Sequence, residues 1–406
     1  MSAHRSLLRH DSPAASGLRS SFALGEKGFR PFFLLAAVFA AFVLPLWLLV
    51  LESFIGLHAE FMHPYWHAHE MVFGFSVAVI AGFLLTAVGN WTGRETVVGV
   101  PLLALAALWA LGRVAIALSS FVPRGIAAVI DLAFIPALMV GIGRALVLAK
   151  NKRNYVMLAL LFALWLSNLA SHAGALGIAG MSAWQRQGSV VGTDIVLVLI
   201  LVVSARVVPM FTRNATRVTS IHSLPWLDKA SAISMAIFTI CDIAIPAHRM
   251  TAALAALTGV FVAARSIPWG TRHTARDPLL WILHVGCWWI PIGLVLRAIS
   301  SFTSAVPSSL STHALTVGTI GSLTLGMMAR VALGHSGRML AVSKPTTFAF
   351  AALTIAGLVR VTGPLFVSMY TASIVVAGVL WSLAFVLYLV VYVPILVVPR
   401  VDGRPG

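Results

Sequence analysis

Six histidines lie in or beside long apolar runs: His67, His69, His172, His284, His313 and His335. Imidazole is the commonest protein ligand for metals, and a buried histidine otherwise needs a hydrogen-bond partner. With only 12 carboxylates in the whole chain to supply such partners, six of them in apolar sequence point to metal or haem ligation. His4, His10, His58, His222, His248 and His273 fall in polar stretches and read as solvated side chains. The two cysteines, Cys241 and Cys287, stand in apolar runs and form neither Cys-x-x-Cys nor the Cys-x-x-Cys-His attachment motif. A disulfide scaffold, a cysteine-rich zinc site and thioether-attached haem are excluded, so a haem here would be held without a covalent bond, which predicts haem b.

Charges in the same apolar runs narrow the chemistry. Arg113, Arg144, Arg206, Arg297, Arg360, Asp131 and Asp194, together with Asn168, sit where a lipid-facing helix would carry none. A charge at the bilayer centre costs about 2.5–3.5 kcal/mol even on lenient scales, so these residues face the protein interior. Two readings stay open. Arg113 with Asp131, and Arg297 with Asp194, would be structural pairs, or arginines such as Arg113, Arg206 and Arg297 would hold an anionic group, for instance haem propionates. Within His67-Ala-His69-Glu70, residues two apart on a helix point about 200° apart, so His67 and His69 serve different ions or partners. Glu70, three after His67, shares its face and suits a ligand, an acceptor behind a ligand or a proton carrier.

The elements that must carry these residues are membrane helices. The chain has 406 residues, 59% apolar and 10% charged, against about 25% charged in soluble domains. Its mean hydropathy is +0.95. Apolar stretches of spanning length predict an all-α integral membrane bundle of about twelve transmembrane helices, near 31–52, 66–90, 98–118, 126–149, 154–177, 189–212, 229–245, 249–267, 278–300, 309–332, 345–362 and 370–397. With the first span starting in the cytoplasm, lysines and arginines crowd the cytoplasmic connections, and only Arg124, Arg186 and Arg249 fall on the other side. Both termini are therefore expected in the cytoplasm: a basic tail over 1–28, one polytopic domain over 29–398 and a short tail over 399–406. The net charge of +16 belongs to these flanks, and nucleic-acid binding is not implied. This orientation puts His67, His69, His172 and His313 at one outer level and pairs His284 with His335 at an inner one.

Several motifs carry a resemblance. Gly28-Phe29-Arg30-Pro31-Phe32-Phe33, Trp66-His67-Ala68-His69-Glu70-Met71, and Ala81-Gly82-Phe83-Leu84-Leu85-Thr86 with Asn90-Trp91-Thr92-Gly93-Arg94 resemble the NnrS family. So do Arg206-Val207-Val208-Pro209, Phe211-Thr212-Arg213-Asn214, His313-Ala314-Leu315-Thr316 and Leu333-Gly334-His335-Ser336-Gly337-Arg338. The resemblance covers about residues 28–340; the last two spans offer nothing to match. It implies a multi-pass protein of the bacterial cytoplasmic (inner) membrane, similar to proteins that bind haem and copper and act in the response to nitric oxide. His67, His69, His313 and His335 are carried by it directly, His172 and His284 by burial.

The first functional expectation is therefore a haem b protein, with copper as a second candidate, that detoxifies nitric oxide by reducing it to nitrous oxide. The outer cluster would react, with His69, His313 and Glu70 as catalytic residues, and the inner pair would hold a haem fed by membrane quinol. The alternatives are a twelve-span transporter and an accessory or sensory protein without turnover. The loop Gly89–Arg94 suits a carrier built from two halves, but no matching loop is read in the second half.

Overall fold

The computed structural model describes residues 22–56, 61, 63–246 and 248–404. Most of the expected 1–28 tail, His4, His10 and His58 lie outside the described residues. Among the described residues the chain is helical, with no strand. The helices are α1 (Phe29–Leu51), α2 (His63–His69), α3 (Val77–Thr92), α4 (Val100–Ala117), α5 (Arg124–Leu148), α6 (Val156–Ala175) and α7 (Trp184–Thr216). There follow α8 (Pro225–Ala244), α9 (Arg249–Ser266), α10 (Pro278–Ser300), α11 (Ser308–His313), α12 (Ser322–His335), α13 (Lys344–Thr362) and α14 (Tyr370–Val397). Among the described residues eleven helical stretches are long and apolar enough to cross a membrane, rather than the twelve expected. The difference is α8, in which Asp228, Lys229 and Asp242 leave too polar a 20-residue helix. It is nevertheless packed against α7 and α9.

Two of the long helices change winding midway. After α2 the backbone runs as π-helix over Glu70–Ser76 before resuming as α3, and after α11 it does the same over Ala314–Gly321 before α12. π-Helical segments carry misaligned carbonyls and gather at functional sites. Here the Trp109 indole answers one, donating to the Gly74 carbonyl at 3.1 Å, and Ser76 Oγ answers another at Met71.

The two breaks are copies of each other. Shifting the sequence by 244 positions lays His69 on His313, Gly74 on Gly318, Gly82 on Gly326, Gly93-Arg94 on Gly337-Arg338 and Pro101 on Pro345, without a gap. The coordinates repeat with it. Gly93 and Gly337 both end their helices at positive φ, 64° and 76°, and Pro101 and Pro345 both open the next helix. Phe33 of α1 faces Gly82 as Leu283 of α10 faces Gly326, and Phe39 faces Gly74 as Trp289 faces Gly318. Residues 29–148 and 278–397 are thus two repeated units of four span-length helical stretches each, with α6–α9 between them. The second half therefore does hold a counterpart of the loop Gly89–Arg94, at Leu333–Arg338.

The glycines let the units close. A Cβ on Gly318 would lie 2.5 Å from the Trp289 ring. Gly318→Ala is expected to destabilise the protein by about 1–3 kcal/mol through overpacking, read as a lower thermal midpoint. Gly125→Ala, where nothing stands within 4 Å, should leave it unchanged. The units meet where α14 lies along α1. There the buried Arg30 guanidinium donates to the carbonyls of Ile395, Leu396 and Val398 at 3.3, 2.9 and 2.6 Å, answering the free carbonyls of a helix end.

Candidate functional site

The first break places His69 on the inward face of the bundle, fully buried. Its ring is stacked on Phe61 at 4.3 Å and meets Phe73 at 5.0 Å and His172 edge-on at 5.1 Å. α4 delivers Arg113, α5 Asp131, and α6 Asn168 and His172, all buried. Asp131 is the hub. Its Oδ2 accepts from Asn168 Nδ2 at 2.8 Å and from His172 Nε2 at 2.9 Å, and lies 3.6 Å from His69 Nε2. Its Oδ1 pairs with Arg113 Nη2. The other nitrogen of that fork, Nη1, donates to Glu70 Oε1 at 2.8 Å, and His69 Nδ1 sits 3.1 Å from the same oxygen. Gly74 leaves room for this fork, since a Cβ there would approach Nη1 to 3.2 Å.

His69, Asp131 and His172 each offer a ligand atom, and the three atoms lie within 4.8 Å of one another. Bonds of about 2.0–2.2 Å to one ion separate its ligands by roughly 3–4 Å, which the 2.9 and 3.6 Å spacings match. A second observation concerns His69 alone. The Asn168 amide is fixed by its donation to Asp131, so it turns its carbonyl oxygen to His69 Nε2 at 2.8 Å, while Nδ1 faces Glu70. Both ring nitrogens face acceptors, and a ring with one proton answers only one. A cation at Nε2 answers the other. Two imidazoles and a carboxylate suit copper, iron or zinc, whereas rings packed at 4–5 Å leave no slot for a haem plane beside His69.

The second break builds a different environment. His313 Nδ1–H donates to the Ser309 carbonyl at 2.6 Å, which leaves Nε2 as the ligating nitrogen. His67 stacks on Trp47 at 4.9 Å, nearly parallel, with its Nδ1 buried and lacking a partner among the described residues. Arg360 acts electrostatically on both histidines, and its Nη1 is likewise buried without a partner. Where Glu70 stands in the first unit the second has Ala314. One site thus carries two carboxylates and the other a guanidinium with one buried nitrogen, Nη1, unanswered among the described residues. The expected single outer cluster is two: His69 with His172, and His67 with His313. The inference that His67 and His69 serve different partners matches this division.

The expected inner pair does not form. Gly326 of α12 packs on Ile282 and Leu283, so α12 is level with His284 near that residue, and His335 lies nine residues further, roughly 13 Å along the axis. His335 is instead tilted over Phe29, and its carbonyl accepts from Arg400. His284 has no free nitrogen. Thr212 Oγ1 donates to the Val208 carbonyl, so it accepts from His284 Nε2–H at 2.8 Å; Nδ1 then accepts from the Thr271 hydroxyl at 2.9 Å. The arginines also separate. Arg113 pairs with Asp131 as one reading held, Arg206 Nη1 donates to Asn154 at 2.7 Å, and Arg297 pairs with Asp242 rather than Asp194. Arg206 and Arg297 therefore stand apart from the histidine sites. Asp242 lies among Ile240, Cys241 and Ile243 inside the span expected at 229–245, so the cost of buried charge marks it as it marks Asp131 and Asp194.

A helical bundle of membrane-spanning character, with a histidine–carboxylate group buried at a helix break, is the class these observations define. The chain belongs to the NnrS family: the family model, described as NnrS protein, matches residues 23–400. The match takes in the last two spans, where no motif was legible. No curated protein matches the chain.

Proposed function

We propose that the protein crosses the bacterial inner membrane twelve times over residues 29–398, α8 included, with both termini cytoplasmic, and that it removes nitric oxide by reducing it to nitrous oxide. Family membership supports the nitric oxide response, and the observation carrying the chemistry is the buried His69–Asp131–His172 group. In this orientation both helix breaks lie toward the periplasmic side, within reach of a gas that partitions into lipid.

His69, Asp131 and His172 would hold a metal ion, copper being the first candidate, and a metal with an open position supplies a place for nitric oxide to bind and accept electrons. His313 through Nε2, with His67 nearby and Arg360 for a carboxylate arm, would hold haem b. The protein's own residues do the rest. Asp131 fixes both imidazoles, Arg113 locks Asp131 and Glu70 in one fork, and Phe61 and Phe73 exclude water. Glu70, against His69 Nδ1, holds the charge through which a proton reaches the site. The reaction consumes two molecules of nitric oxide, two electrons and two protons, and yields nitrous oxide and water.

Glu70→Gln is expected to keep metal and fold but slow nitric oxide consumption by roughly 10²-fold or more, the scale of a lost proton carrier. An oxygen-free nitric oxide electrode with metal analysis reads both. A wild-type rate in that variant removes Glu70 from the reaction. The two parallel four-span units are also an arrangement used by carriers. Metal-dependent nitrous oxide formation by purified protein in detergent, where no gradient exists, separates reduction from transport.

A further inference from the structure

The hydrogen bonds of His284 form a directed chain that the proposed metal and haem sites do not use. Trp288 Nε1–H donates to Thr271 Oγ1 at 3.1 Å, the Thr271 hydroxyl donates to His284 Nδ1, and His284 Nε2–H donates through Thr212 to the Val208 carbonyl. Thr271 and His284 line a cavity of about 420 Å³ together with Trp281, Trp288 and Trp289, within the size range of small-molecule sites. The cavity lies between α10 and α13. Ile292 and Leu358 on its rim are 46% and 47% exposed on the apolar outer surface, so it opens sideways toward lipid. Arg272 stands at its polar end, exposed.

One wall leads to the second helix break. Trp289 fills the space over Gly318, and its Cζ2 lies 3.6 Å from where a Gly357 Cβ would stand. Gly318 is five residues after His313 and Gly357 three before Arg360. A ring in this cavity is thus separated from the His313–Arg360 site by about one to two helical turns of packed side chains.

We propose that this cavity binds the ring of a membrane quinol. The occupant needs a flat apolar body to lie among three indoles, a tail that leaves sideways into lipid, and a hydroxyl that exchanges a proton with Thr271 and, through it, His284. A hydroquinone has all three, whereas an acyl chain has no use for the polar pair. The role as electron donor rests on the nitric oxide reading above. Oxidation of one quinol to quinone releases the two electrons and two protons that two molecules of nitric oxide consume. Binding itself requires neither.

The test is titration of the purified full chain with a short-tailed benzoquinone, followed by quenching of tryptophan fluorescence. Saturable quenching is expected, with the half-saturating concentration raised at least tenfold in Thr271→Val and in His284→Gln. Haem absorbance and metal content should match the wild type in both variants, which shows that they fold. Quenching that does not saturate, that is unchanged in both variants, or that short-chain phospholipid removes equally from wild type and Thr271→Val overturns the proposal. Wild-type protein that reduces nitric oxide with a chemical reductant yet shows no saturable quinone binding sinks this site alone; saturable wild-type binding without any nitric oxide reduction sinks the metal-site reading alone.

Discussion

Asp131→Ala is expected to empty the first site and to cost more stability than any other single change there. Asp131 alone touches Arg113, Asn168, His172 and His69. Its loss strips a fully desolvated arginine of one of its two carboxylates, and breaking a buried pair in this way typically costs about 3–5 kcal/mol. Elemental analysis of the purified variant should find at least tenfold less site metal, with the thermal midpoint clearly lowered. Asp131→Asn separates the two effects. It keeps the shape and much of the hydrogen bonding but removes the charge, so metal should fall while folding survives. Undiminished metal in Asp131→Asn would show that the histidines do not ligate with this carboxylate.

The second large effect belongs to His313 and Arg360. His313→Ala removes the nitrogen that the Ser309 carbonyl prepares for ligation, and the Soret band of the purified protein is expected to disappear. Arg360→Gln leaves the ligand but deletes the guanidinium whose Nη1 is buried without a hydrogen-bond partner among the described residues. Haem should then load weakly and wash out on dilution, with metal at His69–Asp131–His172 unchanged. Full haem content in His313→Ala would move the haem elsewhere, and loss of both groups together would mean that the two repeats form one centre.

Much of this was legible in the residues. Apolar length gave the bundle, and the cost of buried charge singled out Arg113, Asp131 and Asn168 before any contact was known. The 200° between His67 and His69 anticipated two sites. Depth, by contrast, is one coordinate of three. Residues at one membrane level share a cluster only if their helices are neighbours, so His67 and His313 were grouped with His69 and His172. For His284 and His335 even the level was too coarse, because a nine-residue stagger along α12 parts them. The repeat was readable as His69, Gly74, Gly82 and Gly93-Arg94 recurring 244 positions later. It was obscured because the units differ at Glu70, which is Ala314 in the copy, and because the four helices α6–α9 displace the second unit from the chain's midpoint.

The claim that nitric oxide is reduced at His69–Asp131–His172, and not at the haem, is tested most directly by mass spectrometry of labelled nitrous oxide formed from ¹⁵N-labelled nitric oxide. The comparison is between wild-type protein and Asp131→Asn, both carrying full haem and both supplied with a chemical reductant. Wild-type protein should form labelled nitrous oxide continuously, and Asp131→Asn should form it at less than a tenth of that rate with its Soret band intact. Equal rates in the two proteins would contradict the account and assign the reaction to the haem.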